Sequence, residues 1–133
     1  MEIPAEARKR IESEHTVWLT VVTASGAPAP NPVWFVPDGD SVVVFVQPDS
    51  AKARNAAARP RVTLHFETHD PTGTDVVVLH GTAAVETGVA PMSFPGVATK
   101  YAALMQQIEL SPEYMDTFST LIRITPERVR IGV

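Results

Sequence analysis

"SVVVFVQPDSAKARNAAARPRVTLHF", Ser41 to Phe66, is the stretch that decides the fold class. Ser41 to Gln47 is a run of β-branched and aromatic residues, apolar on both faces, and predicts a strand covered on both sides. Asp49 or Ser50 can cap a helix, alanines fill it and Pro60 stops it. From Arg61 the pattern alternates. Val62, Leu64 and Phe66 point one way and Thr63 and His65 the other, so a half-exposed strand follows. The same stretch carries a charge anomaly. Between Ala51 and Phe66 there is no acid, while Lys52, Arg54, Arg59 and Arg61 fall close together. The whole chain is acidic, with 15 Asp+Glu against 11 Lys+Arg and a formal charge of −4.

Strand signals continue on both sides of this stretch. Thr16 to Ala24 is a β-branched strand, Ser25 to Pro30 a turn, and Asn31 to Val36 a second strand, with Pro32 where a missing N–H is tolerable. Pro37 to Asp40 is a hairpin turn. Downstream, His69 to Asp75 is a loop, and Val76 to Glu86 a long strand with Gly81 as a bend or bulge. Leu121 to Val133 reads as a strand, a proline turn and a last short strand. Helices are expected over Pro4–Ser13, over Ser93–Glu109 and from Ser111. Ala7 and Ile11 share one helical face; Tyr101, Leu104 and Ile108 share another. About six short antiparallel strands with flanking helices predict a small β-barrel, mainly β, forming one domain over residues 1–133.

Composition narrows the function. A net charge of −4 argues against broad nucleic-acid binding. With no cysteine there is neither a disulfide framework nor a thiolate metal site. The N-terminal stretch is charged, and no apolar run reaches 18 residues, so a soluble, cytoplasmic protein with no membrane partner is expected. His15, His65, His69 and His80 lack metal-ligand spacing with carboxylates, and no metal site is expected. No catalytic acid, base or nucleophile stands out, so any chemistry falls to a cofactor.

The cationic segment suits an anion. A helix start presents backbone N–H groups without intrahelical partners, and its dipole favours negative charge. Ser50 adds a hydroxyl and Lys52 an ammonium. A cation in a first turn costs the helix a few tenths to about 1 kcal/mol, a sign that a bound phosphate or carboxylate reverses. Asn55 lies on the side of Lys52. The plain alternative is a solvated helix bearing ordinary surface charge. Trp34 and Phe35 are core residues by default, with a planar ligand beside them as the sharper option.

Together, "PVWF" (Pro32–Phe35), "KARN" (Lys52–Asn55) and "PRV" (Pro60–Val62), in this order around a hairpin and an apolar strand, resemble the pyridoxamine-phosphate-oxidase-like split β-barrel superfamily. They are most similar to its branch of flavin/deazaflavin oxidoreductases that use coenzyme F420. The tail, with "IRITPERVR" (Ile122–Arg130), is similar to one subgroup of that branch. The resemblance implies a split β-barrel and a homodimer with cofactor sites at the subunit interface. It implies a ring seated against Pro32, Val33, Trp34 and Phe35, near Val46 and Gln47. It implies a phosphate held by Ser50, Ala51 and Lys52, with Asn55 close by. The implied activity is hydride transfer from reduced F420 to a small conjugated substrate. FMN is the alternative cofactor. FMN-binding relatives place more Arg and Lys around the phosphate, and Ser50 stands where some have Arg. A cofactor-binding or carrier protein without turnover is the non-enzymatic alternative.

Overall fold

A computed structural model describes all residues, Met1–Val133. Seven strands form one antiparallel sheet: β1 (Val17–Val22), β2 (Pro28–Val33), β3 (Phe35–Asp38), β4 (Ser41–Val46), β5 (Arg61–His65), β6 (Val77–Glu86) and β7 (Thr120–Ile131). Helices α1 (Ala5–Ser13), α2 (Ala51–Ala58), α3 (Val97–Gln107) and α4 (Pro112–Met115) flank it. The sheet order is β2-β1-β5-β6-β7-β4-β3.

That order forces the sheet to curl. β2 and β3 are the two outermost strands, yet only Trp34 separates them in sequence. A flat seven-stranded sheet would span roughly 29 Å across six strand spacings. Two peptide links span at most about 7.6 Å. The two edges are therefore drawn together, and the sheet wraps into an open barrel whose seam lies at Trp34.

The seam stays unpaired for a local reason. Pro28, Pro30 and Pro32 alternate along β2, opposite Val22, Thr20 and Trp18 of β1. Only Ala29, Asn31 and Val33 have an N–H to give β1, so the prolines take the positions whose N–H would face the free edge. β2 cannot complete the barrel by donating to the strand across the seam, and the same prolines keep its edge from recruiting another chain.

Three expectations need correction. The sheet has seven strands rather than six, because the stretch read as one strand, Asn31 to Val36, breaks at Trp34 and serves both edges. The turn expected up to Pro30 ends earlier, since β2 starts at Pro28. The proline turn in the tail is absent. β7 runs unbroken through Pro126, where a bulge shifts the register between His80 and Gly81. Gly81 stands where a bend or bulge was expected, opposite the bulged Glu127 of β7, and is glycine for reasons of space. A Cβ there would lie 2.5 Å from the Thr125 carbonyl oxygen.

Inside the barrel, Leu19, Phe35, Val44, Leu64, Leu79 and Ile122 are fully buried in one cluster, closed by Ala7 and Ile11 of α1 and Ala53 and Ala56 of α2. Burying a residue such as Ile11 contributes about 1.5–3 kcal/mol relative to leaving it exposed. Ser50 caps α2 by accepting the Ala53 N–H. β4 is buried on both faces, as its composition required. Its outer face is covered from within the chain: Val43 and Phe45 pack with Val97, Tyr101 and Met105 of α3 and Met115 of α4. Ile108, grouped with Tyr101 by helical spacing, is 52% exposed, because α3 ends before it.

Candidate functional site

At the seam lies a cleft of about 310 Å³, lined by Pro32, Val33, Trp34, Phe45, Val46, Gln47, Ser50, Lys52, Leu110, Met115 and Phe118. β3 ends its pairing with β4 at Phe35–Val44, so the edge of Phe45 and Val46 that faces β2 runs past the last β3 partner. β2 approaches there without pairing. The cleft is the gap this leaves.

Part of the lining is polar. Ser50 Oγ accepts the Ala53 N–H at 3.2 Å and keeps its own hydrogen free to donate. Lys52, in the first turn of α2, makes no ion pair or hydrogen bond within the chain. The other cations of the segment are spent on structure. Arg54 donates to the Asp49 carbonyl. Arg59 donates to the Val22 carbonyl at 2.7 Å and to Asn55 Oδ1 at 2.7 Å. Arg61 lies on the outer face of β5 and does not line the cleft. Lys52 is thus the cation the fold leaves free at this place. Gln47 is oriented by donating from Nε2 to Thr117 Oγ1 at 3.0 Å.

Much of the remaining lining is apolar: Trp34, Phe45, Leu110, Met115 and Phe118. Trp34 is fixed from behind. Its ring stacks on Tyr101 with centroids 4.3 Å apart and planes 4° from parallel. The Tyr101 hydroxyl accepts the Phe35 N–H at 2.9 Å and lies 2.7 Å from the His15 carbonyl. Burial pushes the Tyr101 phenol well above its ordinary pKa. Beside it, Lys100 Nζ donates to the Phe35 carbonyl at 3.0 Å and the Ile11 carbonyl at 3.3 Å, and lies 3.5 Å from the centre of the Phe35 ring. Burial lowers its pKa to about 8, with Glu14 opposing the shift.

The structure therefore brings Pro32, Val33, Trp34, Val46, Gln47, Ser50 and Lys52 together around one cleft. Three further candidates stand apart. Phe35 turns into the barrel core and is fully buried. Ala51 is exposed on α2, and Asn55 is held by Arg59. Sequence reasoning missed Phe45, Leu110, Met115 and Phe118. Phe45 was visible as the outward residue of an apolar strand. The other three come from the α3–β7 region and meet the cleft only through the tertiary fold. No three His, Asp or Glu side chains converge as a metal site would require, and no helix is long and apolar enough to cross a membrane.

Among solved structures, a conserved hypothetical protein of Mycobacterium tuberculosis superposes with a TM-score of 0.75 at 21% identity, over 99% of this chain and 85% of that one. An F420 reductase gives a TM-score of 0.69 at 19% identity, over 96% of this chain and 98% of that one. The heme storage protein of Vibrio cholerae gives 0.66 at 18% identity, over 99% of this chain and 96% of that one. At such identities the likeness is one of fold. No curated protein sequence matches this chain significantly. The sequence-family model described as pyridoxamine 5'-phosphate oxidase matches residues 3–131. With the open barrel and its seam cleft accounted for by nearly the full chain, the protein belongs to the pyridoxamine 5'-phosphate oxidase family.

Proposed function

We propose that the cleft binds coenzyme F420 and that the protein is an F420-dependent reductase of a small conjugated substrate, acting as a homodimer. The observation that carries this reading is that one cleft is lined both by an unpaired cation at a helix start, Lys52, and by apolar and aromatic side chains, Trp34 and Phe45 among them. A free ammonium at a helix start suits a phosphodiester. Trp34, held flat by Tyr101, offers a rigid face to a planar ring. The residues present fit the group. Lys52 and the Ser50 hydroxyl would hold the phosphate, and Trp34, Val33 and Val46 would seat the ring. When bound, the cofactor supplies the hydride chemistry. The chain orients it, and Leu110, Met115 and Phe118 make the lining apolar and so exclude water. The cleft volume of about 310 Å³ sits at the low end of small-molecule sites, roughly 300–1,000 Å³. A second subunit would supply the remaining wall.

A second reading, a cofactor carrier without turnover, rests on one observation. No carboxylate or imidazole lines the cleft, and its two proton-bearing groups, Lys52 and the Ser50 hydroxyl, are assigned to the phosphate, which leaves no side chain there to protonate a substrate. The test begins with titration of wild type and Lys52→Ala with F420 and with FMN. F420 should bind more tightly, weaken with salt, and lose about 1.5–3 kcal/mol in the variant, the range for a charge-assisted hydrogen bond. Equal responses of the two proteins would remove the phosphate role of Lys52, and tighter FMN binding would exchange the cofactor. Reoxidation of bound, reduced F420 by an enone acceptor separates reductase from carrier. Tight binding with no acceptor-dependent reoxidation would leave the carrier.

A further inference from the structure

Away from the cleft, one row of polar side chains crosses the outer face of the sheet, and strand register creates it. Thr20 on β1 pairs with Thr63 on β5, Thr63 with His80 on β6, and His80 with Arg128 on β7. Directly opposed residues on one face have Cβ atoms about 4.5–5.5 Å apart, so the four side chains form a continuous ladder. Arg61 stands two residues from Thr63 along β5, on the same face. The bulge opposite His80 and Gly81 sets Glu127 beside Arg128. These residues line a groove of about 490 Å³, larger than the seam cleft.

The charges in this groove are uncommitted. Elsewhere the arginines are engaged: Arg8 with Asp40, Arg10 with Glu14, and Arg123 with Asp38 and Glu86. Arg54, Arg59 and Arg130 donate to carbonyls. Arg61 and Arg128 have no such partner. Glu127, the one carboxylate in the groove, accepts the Thr82 hydroxyl instead of pairing with either arginine. Two strand spacings and a two-residue offset put the Arg61 and Arg128 Cα atoms about 12 Å apart. Both arginine side chains line the one groove that also holds His80. Burial, and after it the charges of Arg128 and Arg130, holds His80 below its ordinary pKa, so its imidazole is neutral near pH 7. Two guanidinium forks, two threonine hydroxyls and an imidazole form a donor set matched to a tetrahedral oxyanion. On a chain of net charge −4, a groove of this sign is an exception that a ligand would explain.

We propose that this groove is a second ligand site, taking a small molecule through its phosphate group.

Isothermal titration of the full chain with inorganic phosphate, at constant ionic strength, tests it. One saturable site should appear, persist in Lys52→Ala, and weaken about tenfold or more in Arg128→Gln and in Arg61→Gln. Arg128→Lys, which keeps the charge and loses the fork, should weaken it less than Arg128→Gln does. Sulfate, which does not titrate near neutral pH, probes His80. The charged and titratable groups facing this imidazole are Arg61 and His65 on β5 and Glu127, Arg128 and Arg130 on β7; β1 presents none. Sulfate should bind more tightly as pH falls from 8 to 5.5, and that slope should shrink at least by half in His80→Gln, with any remainder lost in the His65→Gln/His80→Gln double variant. Absence of saturable binding at millimolar phosphate would overturn the proposal. So would loss of binding in Lys52→Ala with retention in both arginine variants, which would assign the ion to the cleft. A changed sedimentation mass in the arginine variants without any phosphate effect would also overturn it, and would make this face a contact between subunits.

Discussion

Tyr101→Phe tests how the wall of the cleft is held. Tyr101 is 1% exposed, and its hydroxyl lies within hydrogen-bond distance of three backbone groups. It accepts the Phe35 N–H at 2.9 Å, and it lies 2.7 Å from the His15 carbonyl and 3.0 Å from the Phe35 carbonyl. A hydroxyl has one hydrogen to donate, and the shorter contact assigns it to His15. Phenylalanine keeps the ring, its volume and the stack on Trp34, and loses the hydrogen bonds. Neither carbonyl is orphaned. Lys100 Nζ still donates to Phe35 O at 3.0 Å, and His15 is exposed to water. The Phe35 N–H is the group stranded, since Phe35 is 0% exposed. A buried donor without a partner costs about 1–3 kcal/mol. At about 3–5 °C per kcal/mol for a chain of this length, Tm should fall by roughly 3–15 °C. Thermal unfolding followed by near-UV circular dichroism at pH 7 measures this, with urea unfolding to check that the m-value is unchanged. A Tm within about 1 °C of wild type would refute the reasoning, because the Phe35 N–H would then have another partner.

The same two residues shape the alkaline stability profile. Lys100 titrates at about 8 in the fold against its ordinary 10.5, so between those values the unfolded chain holds the extra proton and stability rises with pH. Tyr101 is shifted upward from its ordinary 10.0, so above pH 10 the folded chain holds the extra proton and stability falls. Urea midpoints should climb from pH 8 to 10 and drop beyond it, with the climb lost in Lys100→Met; a profile flat through this range would contradict both assignments. Gly81→Ala should cost about 1–3 kcal/mol or more, because its Cβ would sit 2.5 Å from the Thr125 carbonyl oxygen and 3.0 Å from Ile124 Cγ2, forcing the β6–β7 backbone to move. A urea midpoint equal to wild type would show that the bulge can relax. Lys52→Ala should leave the apo protein's Tm unchanged or slightly raised, since it removes a cation from the start of α2. A clear loss of apo stability would instead give Lys52 a structural role.

Much of this protein was readable from local pattern. The alternation Val62, Leu64, Phe66 set which face of β5 is buried, because side chains in a strand alternate with a period of two. Ser50 as a cap and Pro60 as a stop bounded α2, since capping and a missing N–H are properties of single residues. Gly81 marked the bulge. A β4 apolar on both faces demanded cover on both sides. Local pattern assigns residues to faces, however, and says nothing about which strand lies next to which. Only the tertiary structure put β2 and β3 at opposite edges of one sheet, and so made Trp34 the link between the two edges, opened the seam and brought Lys52 and Trp34 to one cleft. It also showed that α3 and α4 supply the outer cover of β4, and it drew Leu110, Met115 and Phe118 to a cleft begun about eighty residues earlier. The row Thr20, Thr63, His80 and Arg128 is the clearest case. These are four unremarkable residues in sequence, and pairing register alone makes them neighbours, because a slip of one residue would turn any of them to the opposite face.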